Sequence, residues 1–401
     1  MRLSVTQLDL RGRRVFLRAD FNVPLTGDEI ADDARIRAGI PTLEHCLSNG
    51  ASVVLASHLG RPAGRDPRYS LKPVAFRLEE LLERPVPLVP DCVGPLSEKL
   101  AAALEPGQCL LLENLRFHAE EAANDPDFAR ALARLADCYV NDAFSVSHRA
   151  HAPMVGITRF LRPAAAGLLM QRELLALARV LDHPRRPLVL ILGGARVSDK
   201  LGLIRNLVPQ VDRLLIGGAM AFTFLKALGC ETGFSAVEPD LVPIAKKILE
   251  AAQARGMQVV LPEDVVAAMY PGDRDRILTV PAERIPLALA GLDIGPATLI
   301  RFRHALRDAG TVVWNGPMGM VEQPAFASGT AELAEVVANC GGLTVAGGGD
   351  TVAAIRRAGV ADRFGYLSPS GAAFLEALEG RELSGVAALS AMTGQALAAA
   401  P

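Results

Sequence analysis

Residues 188–204 read LVLILGGARVSDKLGLI. Leu188 to Leu192 is an unbroken aliphatic run of strand length, the pattern of a strand buried on both faces of a parallel sheet. Gly193 and Gly194 permit a sharp turn and a close approach of ligand to backbone. Beyond them, Leu201, Ile204, Leu207 and Val208 recur at helical spacing, with Ser198 or Asp199 placed to cap the helix. A helix opening at the carboxyl end of a strand presents free N–H groups to an anion. The stretch is still not a Walker loop, because Asp199 stands where the second glycine belongs and Leu201 where Ser or Thr belongs. No third glycine completes a dinucleotide fingerprint either.

The same strand-then-helix pattern recurs on both sides of this stretch. Apolar runs at 13–20, 51–57, 108–115 and 138–144 precede it, and others at 213–219, 258–264, 311–317 and 343–349 follow. Alternation of this kind predicts an α/β fold of two doubly wound, Rossmann-like parallel-sheet domains. The helical pattern over 167–184, stopped by Pro184, is expected to join them with a hinge. The expected division is 1–166, completed by 383–401, then the helix, then 185–382.

The totals narrow the class of function. The chain has 401 residues, half of them hydrophobic, and a formal net charge of −2. That charge supplies no global basic field for nucleic acid. No run approaches the ~20 apolar residues that span a bilayer, and the N-terminus has no signal-peptide core. Cysteines 46, 92, 109, 138, 230 and 340 show no paired spacing. Scattered thiols point to a reduced, cytoplasmic protein.

Ligands of open α/β sheets bind beyond the carboxyl ends of the strands, so the residues that follow each run describe the sites. In the first half these exits are RADFNVP, SHLGRP, ENLRFH and NDAFSVSHRAH. They place Asp20, Asn22, His58, Arg61, Arg116, His148, Arg149 and His151 together, with Arg35 close by in DDARIRAGI. In the second half they are GGARVSDK, GGAMAF, PED, NGPMG and GGGDT. Guanidinium groups pair bidentately with phosphate and carboxylate, while glycine turns at helix starts hold nucleotide phosphates. Asp350 is the carboxylate suited to Mg²⁺, although an Asp at that point can equally cap the following helix. Asp20 and Asn22 can likewise form a strand-end turn around Pro24. One basic cradle and one glycine-rich site describe a phosphotransferase.

The ordered blocks RADFNVP, DDARIRAGIPTL, SHLGRP, ENLRFH, HRAHAP, ILGGARVSDKL, IGGAMAFTFLK, DIGPAT, WNGPMGMVE, VAGGGDT and LEALEGRELSGVAAL run nearly end to end. With them the sequence resembles the phosphoglycerate kinase family. The resemblance implies reversible phosphoryl transfer between 1,3-bisphosphoglycerate and ADP, giving 3-phosphoglycerate and ATP with Mg²⁺, by a monomer. It assigns Asp20, Asn22, Arg35, His58, Arg61, Arg116 and Arg149 to phosphoglycerate. Lys200, Gly295, Asn315, Glu322, Gly348, Gly349, Asp350 and Thr351 go to the nucleotide, Asp350 through the metal. Arg35, Arg196 and Lys200 would stabilise the group in flight on domain closure, and the C-terminal segment would return to the first domain.

Three places depart from the family pattern. Arg196 stands where lysine is usual, Ser145-Val146-Ser147 replaces Gly-Thr-Ala before HRAH, and Ser368-Pro369-Ser370-Gly371-Ala372-Ala373 replaces Ser-Thr-Gly-Gly-Gly-Ala. Two other classes of function compete. A catalytically weakened Mg-nucleotide-binding regulatory module would draw on the altered 368–373 loop. A nicotinamide-dependent dehydrogenase is opposed by the missing fingerprint and by the basic cradle.

Overall fold

A computed structural model describes residues 2–27, 29–273 and 276–391. Contacts divide the chain into two units: Met1–Leu175 with the segment from Glu382 onward, and Ala176–Arg381.

The first unit is built on strands β1 (Arg14–Arg18), β2 (Ser52–Ala56), β3 (Leu88–Val89), β4 (Cys109–Leu112), β5 (Cys138–Asn141) and β6 (Ala164–Ala166). They form one parallel sheet in the order β3-β4-β2-β1-β5-β6. β2 and β4 are buried at every position, as expected of parallel strands covered on both faces. Helix α1 (Ala34–Ser48) turns Ile36, Leu43, Cys46 and Leu47 into this core and carries Arg35 in its first turn. Helix α2 (Leu168–Leu181) occupies the span read as helical, and the division between units falls inside it. Its start is held from outside the helix, because the Asp142 carboxylate accepts from the N–H groups of Leu169 (2.9 Å) and Met170 (3.1 Å). Segment 382–391 lies along the first unit, where Leu3 N–H donates to the Ser390 carbonyl and Gly385 N–H to that of Ser147, both at 2.8 Å. The rest of the expected C-terminal segment, 392–401, is outside the described residues.

The second unit repeats the plan with β7 (Leu188–Leu192), β8 (Arg213–Ile216) and β9 (Gln258–Val260). A small antiparallel sheet follows, of β10 (Asp264–Ala268), β11 (Leu278–Pro281) and β12 (Ala290–Ile294), with β10 in the middle. Strands β13 (Thr311–Asn315), β14 (Leu343–Gly347) and β15 (Tyr366–Leu367) complete the parallel sheet in the order β9-β8-β7-β13-β14-β15. The quoted aliphatic run is thus a central strand, with Leu190 registered against Val313 on one side and Leu214 on the other. All of its residues are buried, and each such side chain contributes about 1.5–3 kcal/mol by leaving water.

Four helices of this unit bear on the site: α3 (Leu201–Leu207), α4 (Pro296–Leu306), α5 (Ser328–Ala338) and α6 (Gly349–Arg357). The residues after Gly194 differ locally from the sequence expectation. Ser198–Lys200 form a 3-10 turn leading into α3, and neither Ser198 nor Asp199 caps it. Ser198 instead donates to the Glu238 carboxylate (2.6 Å), and Asp199 accepts from Arg196. Glu238 also takes the Val197 N–H at 2.5 Å, so a distant acid holds the start of the turn.

Candidate active site

At the carboxyl end of the first sheet, Arg18 is 1% exposed although it ends a strand. Its Nη2 lies 2.9 Å from His58 Nδ1, and its Nη1 donates to the Ala19 carbonyl. Two residues on, Asp20 accepts from Asn22 N–H (3.1 Å), from Arg35 Nη1 (2.9 Å) and from Ser145 Oγ. The strand-end turn and the arginine contact therefore coexist on one carboxylate. Asn22 Oδ1 accepts the Gly60 N–H at 2.8 Å, and the Gly60 carbonyl accepts from Arg116. Exits of β1, β2 and β4 are laced together in this way. From the exit of β5, Arg149 donates to His148 (3.2 Å), and His151 Nδ1 lies 3.1 Å from the buried Glu121 carboxylate.

The electrostatics of this cluster are lopsided. Burial first, and then the charges of Arg18, Arg116, Arg35 and Arg149, hold the His58 imidazole well below its ordinary pKa. His58 is therefore neutral here. Arg116 is lowered to about 10, mainly by burial; Glu121 opposes the shift while Arg149, Arg18 and Arg61 add to it. Burial likewise lowers Arg18, with Glu121 and Asp20 the main opposing charges. Arginines thus outnumber the carboxylates that face them, and a bound oxyanion would relieve the imbalance.

All seven residues expected to bind the small anion meet in this cluster: Asp20, Asn22, Arg35, His58, Arg61, Arg116 and Arg149. Sequence reasoning left out Arg18 and Glu121, and it named Ser145 only as a departure from the family pattern. Arg18 reads as part of an apolar strand, and its only signal is a charge inside RVFLRAD. Glu121 reads as one surface acid among several, and nothing in its local pattern announces burial.

The second unit brings a different set together. Gly194 has φ +94°, a conformation favouring glycine, and a Cβ on Gly193 would stand 2.3 Å from the Pro317 carbonyl oxygen. Lys200 folds back from the 3-10 turn so that its Nζ donates to Asn315 Oδ1. Asn315 in turn donates to the Gly347 carbonyl (2.7 Å), and Thr351 Oγ accepts the Gly316 N–H (2.8 Å). Burial lowers the Lys200 pKa, while Asp199, Asp350 and Glu379 oppose that shift. Gly348, with φ +98°, lets the chain enter α6 beside Asn315, since a Cβ there would lie 2.6 Å from Asn315 Nδ2.

Asp350 is not the cap of α6. That position belongs to Gly348, which leaves Asp350 exposed in the first turn with Gly349 before it and Thr351 after it. A cavity of about 490 Å³ opens nearby, lined in part by Gly194, Gly218, Asp293, Met318, Glu322 and Asp350. Gly295 is buried and does not line this cavity. A Cβ there would fall 2.3 Å from the Asp264 carboxyl carbon, and that carboxylate caps α4 through Ala297 N–H (3.0 Å) and Thr298 N–H (2.7 Å). Asp293 is buried in the cavity wall and accepts from Ile294 and Gly329 N–H at 2.8 Å each. Burial raises its pKa to about 7.

The two departures in this unit also take definite positions. Arg196 is exposed and bonded to Asp199 through Nε at 3.1 Å. In the 368–373 loop, Ala373 is buried in the core, whereas Ala372 is exposed and Pro369 half-buried. Of the departures in this loop, Ala372 is therefore the most accessible and Ser370 is buried.

Comparison with known proteins agrees along nearly the full length. The family profile described as phosphoglycerate kinase matches residues 5–381. The chain is 52% identical over 390 residues to the phosphoglycerate kinase of Moorella thermoacetica, covering 97% of this chain and 99% of that protein. It is 50% identical over 391 residues to the cytosolic phosphoglycerate kinase of Triticum aestivum, covering 96% and 97%. The solved structure of phosphoglycerate kinase from Coxiella burnetii superposes with a TM-score of 0.90 at 37% identity, covering 97% of this chain and 98% of that one.

Proposed function

The chain belongs to the phosphoglycerate kinase family, and on that premise we propose that it transfers a phosphoryl group reversibly between 1,3-bisphosphoglycerate and ADP. The products are 3-phosphoglycerate and ATP. One observation carries the reading: an arginine cluster around a neutral His58, in excess over its carboxylates, at the carboxyl end of the first sheet. Such a cluster suits a small molecule bearing both phosphate and carboxylate. The glycine-lined cavity of the second unit, with Lys200 and Asp350 beside it, suits a nucleoside diphosphate.

The chain's own residues have simple tasks on this reading. His58, Arg61, Arg116 and Arg149 hold the phosphoglycerate, with Arg18 buried against His58 as its support and Asp20 and Asn22 fixing the loops that carry them. Gly348, Gly349 and Thr351 form the backbone turn for nucleotide phosphates, while Glu322 faces the sugar. Gly295 acts indirectly, by making room for the Asp264 cap. Asp350 fits Mg²⁺ because its carboxylate is exposed and caps nothing. The metal, when bound, neutralises nucleotide phosphate charge.

Transfer in line needs no protein nucleophile, only positive charge around the equatorial oxygens. Arg35, Lys200 and Arg196 supply it once both substrates are brought together, Arg35 by leaving Asp20 and Arg196 by leaving Asp199. The protein acts on these small molecules as a cytoplasmic monomer. A coupled assay of ATP formation from 1,3-bisphosphoglycerate and ADP tests the activity directly. Arg35→Ala should lower kcat on the order of 10²–10³-fold. A raised KM with unchanged kcat would limit Arg35 to ground-state binding.

A further inference from the structure

The first sheet carries a second group of converging side chains that phosphoryl transfer does not use. The turn after β3 presents Asp91 and Cys92, and His118 follows the short helical turn Leu115–Phe117 after β4. A carboxylate oxygen, a thiol sulfur and an imidazole nitrogen lie within 4.8 Å of one another. Among the described residues no other group of His, Cys, Asp and Glu meets that condition. The two strands are hydrogen-bonded neighbours in parallel register, so their exits are held side by side by the sheet.

The surroundings fix each donor. Asp91 Oδ1 faces His118 Nε2 at 2.7 Å, while Oδ2 is turned to Arg65 Nη1 at 3.7 Å. Arg65 is itself tied to the Pro90 carbonyl (2.8 Å). The His118 ring packs on Phe128 with centroids 5.2 Å apart. Ser97 Oγ donates to the Asp91 carbonyl at 2.8 Å and holds the turn. Outer partners of this kind, orienting a carboxylate and an imidazole, are those that support a bound metal. The donors are also graded by depth: Cys92 is 1% exposed, whereas the side chains of Asp91 and His118 are 42% and 27% exposed. An ion can therefore arrive past the carboxylate and the ring and seat on the sulfur.

We infer that Asp91, Cys92 and His118 form a binding site for one borderline-soft divalent cation of the Zn²⁺ class. Sulfur, nitrogen and oxygen donors in one site select such an ion over Mg²⁺ or Ca²⁺, which take oxygen. Thiolate and carboxylate together balance its charge. On binding, the thiol proton passes to solvent as the sulfur–metal bond forms. The imidazole N–H moves from Nε2 to Nδ1, and the His118–Asp91 hydrogen bond gives way to two metal bonds. Three protein donors leave a fourth position for water.

The test uses the full chain stripped with chelator and titrated with Cd²⁺, whose bond to thiolate gives an ultraviolet charge-transfer band. Zn²⁺ is then measured by competition against a chromophoric chelator. The expected result is a single equivalent bound at micromolar concentration or tighter, with the band abolished in Cys92→Ser. Zn²⁺ affinity should fall about tenfold or more in Asp91→Asn, a substitution on an exposed side chain that leaves the buried thiol in place. At one Zn²⁺ concentration the melting temperature should rise more for the wild type than for either variant. A band of equal amplitude in Cys92→Ser would assign it to another cysteine and overturn the proposal. Wild type without a saturable equivalent, or Asp91→Asn binding Zn²⁺ as tightly as wild type, would overturn it equally. Kinase activity, assayed separately on the Zn²⁺-free protein with Mg-ADP, tests the phosphoryl-transfer reading independently of this site.

Discussion

Asp293 offers a sharp test of how the second unit is held together. Its carboxylate is 3% exposed in the cavity wall, and burial lifts its pKa to about 7 against opposing bonds from two backbone N–H groups. Glu332 adds a smaller push in the same direction. Unfolding returns the group to about 3.9. Between those two values the folded protein holds a proton that the unfolded chain has released, so stability falls as pH rises, by about 1.36 kcal/mol per unit. The contribution is complete below the unfolded value and gone above the folded one. From about pH 5 to about pH 8 the loss from this group alone comes to about 2–3 kcal/mol.

Asp293→Asn removes that dependence. Near pH 5 the variant should be the less stable by about 1–3 kcal/mol, because one of the two backbone N–H groups that the carboxyl oxygens accept would face the amide NH2. By pH 8 the gap should have narrowed or reversed. Trp314, the only tryptophan in the chain, is buried in β13 of the same unit, so its fluorescence during urea unfolding isolates that unit. Stability curves of wild type and variant that descend in parallel from pH 5 to pH 8 would show that Asp293 does not titrate in this window.

Two further substitutions probe the phosphate end of the same unit. Asp350→Asn should leave thermal stability unchanged, because the side chain is exposed and caps nothing. It should weaken Mg-ADP binding about tenfold or more, the change that ~1.4 kcal/mol produces; unaltered Mg-ADP affinity by calorimetry would remove Asp350 from the metal. Arg196→Lys should slow transfer in this chain, and do so less once Pro369 and Ala372 are replaced by the family's Thr and Gly. A double-mutant cycle on kcat should show ~0.5–3 kcal/mol of coupling. Simple additivity would mean that the arginine does not compensate for the loop.

The parallel strands were legible because fully buried strands leave continuous aliphatic runs, as at Leu188–Leu192 and Leu110–Leu112. β3 and β15 were not, since two residues make no pattern. β10 to β12 escaped for a different reason. β11 is largely exposed and presents no apolar run, while the apolar residues 265–268 of β10 follow the run at 258–264 so closely that they do not stand apart from it. Site residues followed the same logic. Arg35 and Arg116 were readable because a charge at a strand exit or helix start stands out against apolar neighbours. Arg18 and Glu121 lie inside the protein, where one-dimensional pattern gives no hint of depth. Asp350 was ambiguous until the backbone showed Gly348 in the capping position. Capping depends on dihedral angles, which residue identity alone does not fix.

Asp142 links two parts of the first unit that chemistry treats separately. Its N–H donates to the carbonyl of Arg18 at 2.8 Å, and its side chain grips the first turn of α2. Gly167 sits so tightly against it that a Cβ would come within 2.3 Å of Oδ1. The linkage is stiff, short and without slack, more strut than tether. A displacement of the β1 terminus would therefore reach the root of the helix through Asp142 as a push or a tilt. Seen mechanically, β1 and the helix would be the two arms of one lever, with Asp142 its pivot pin.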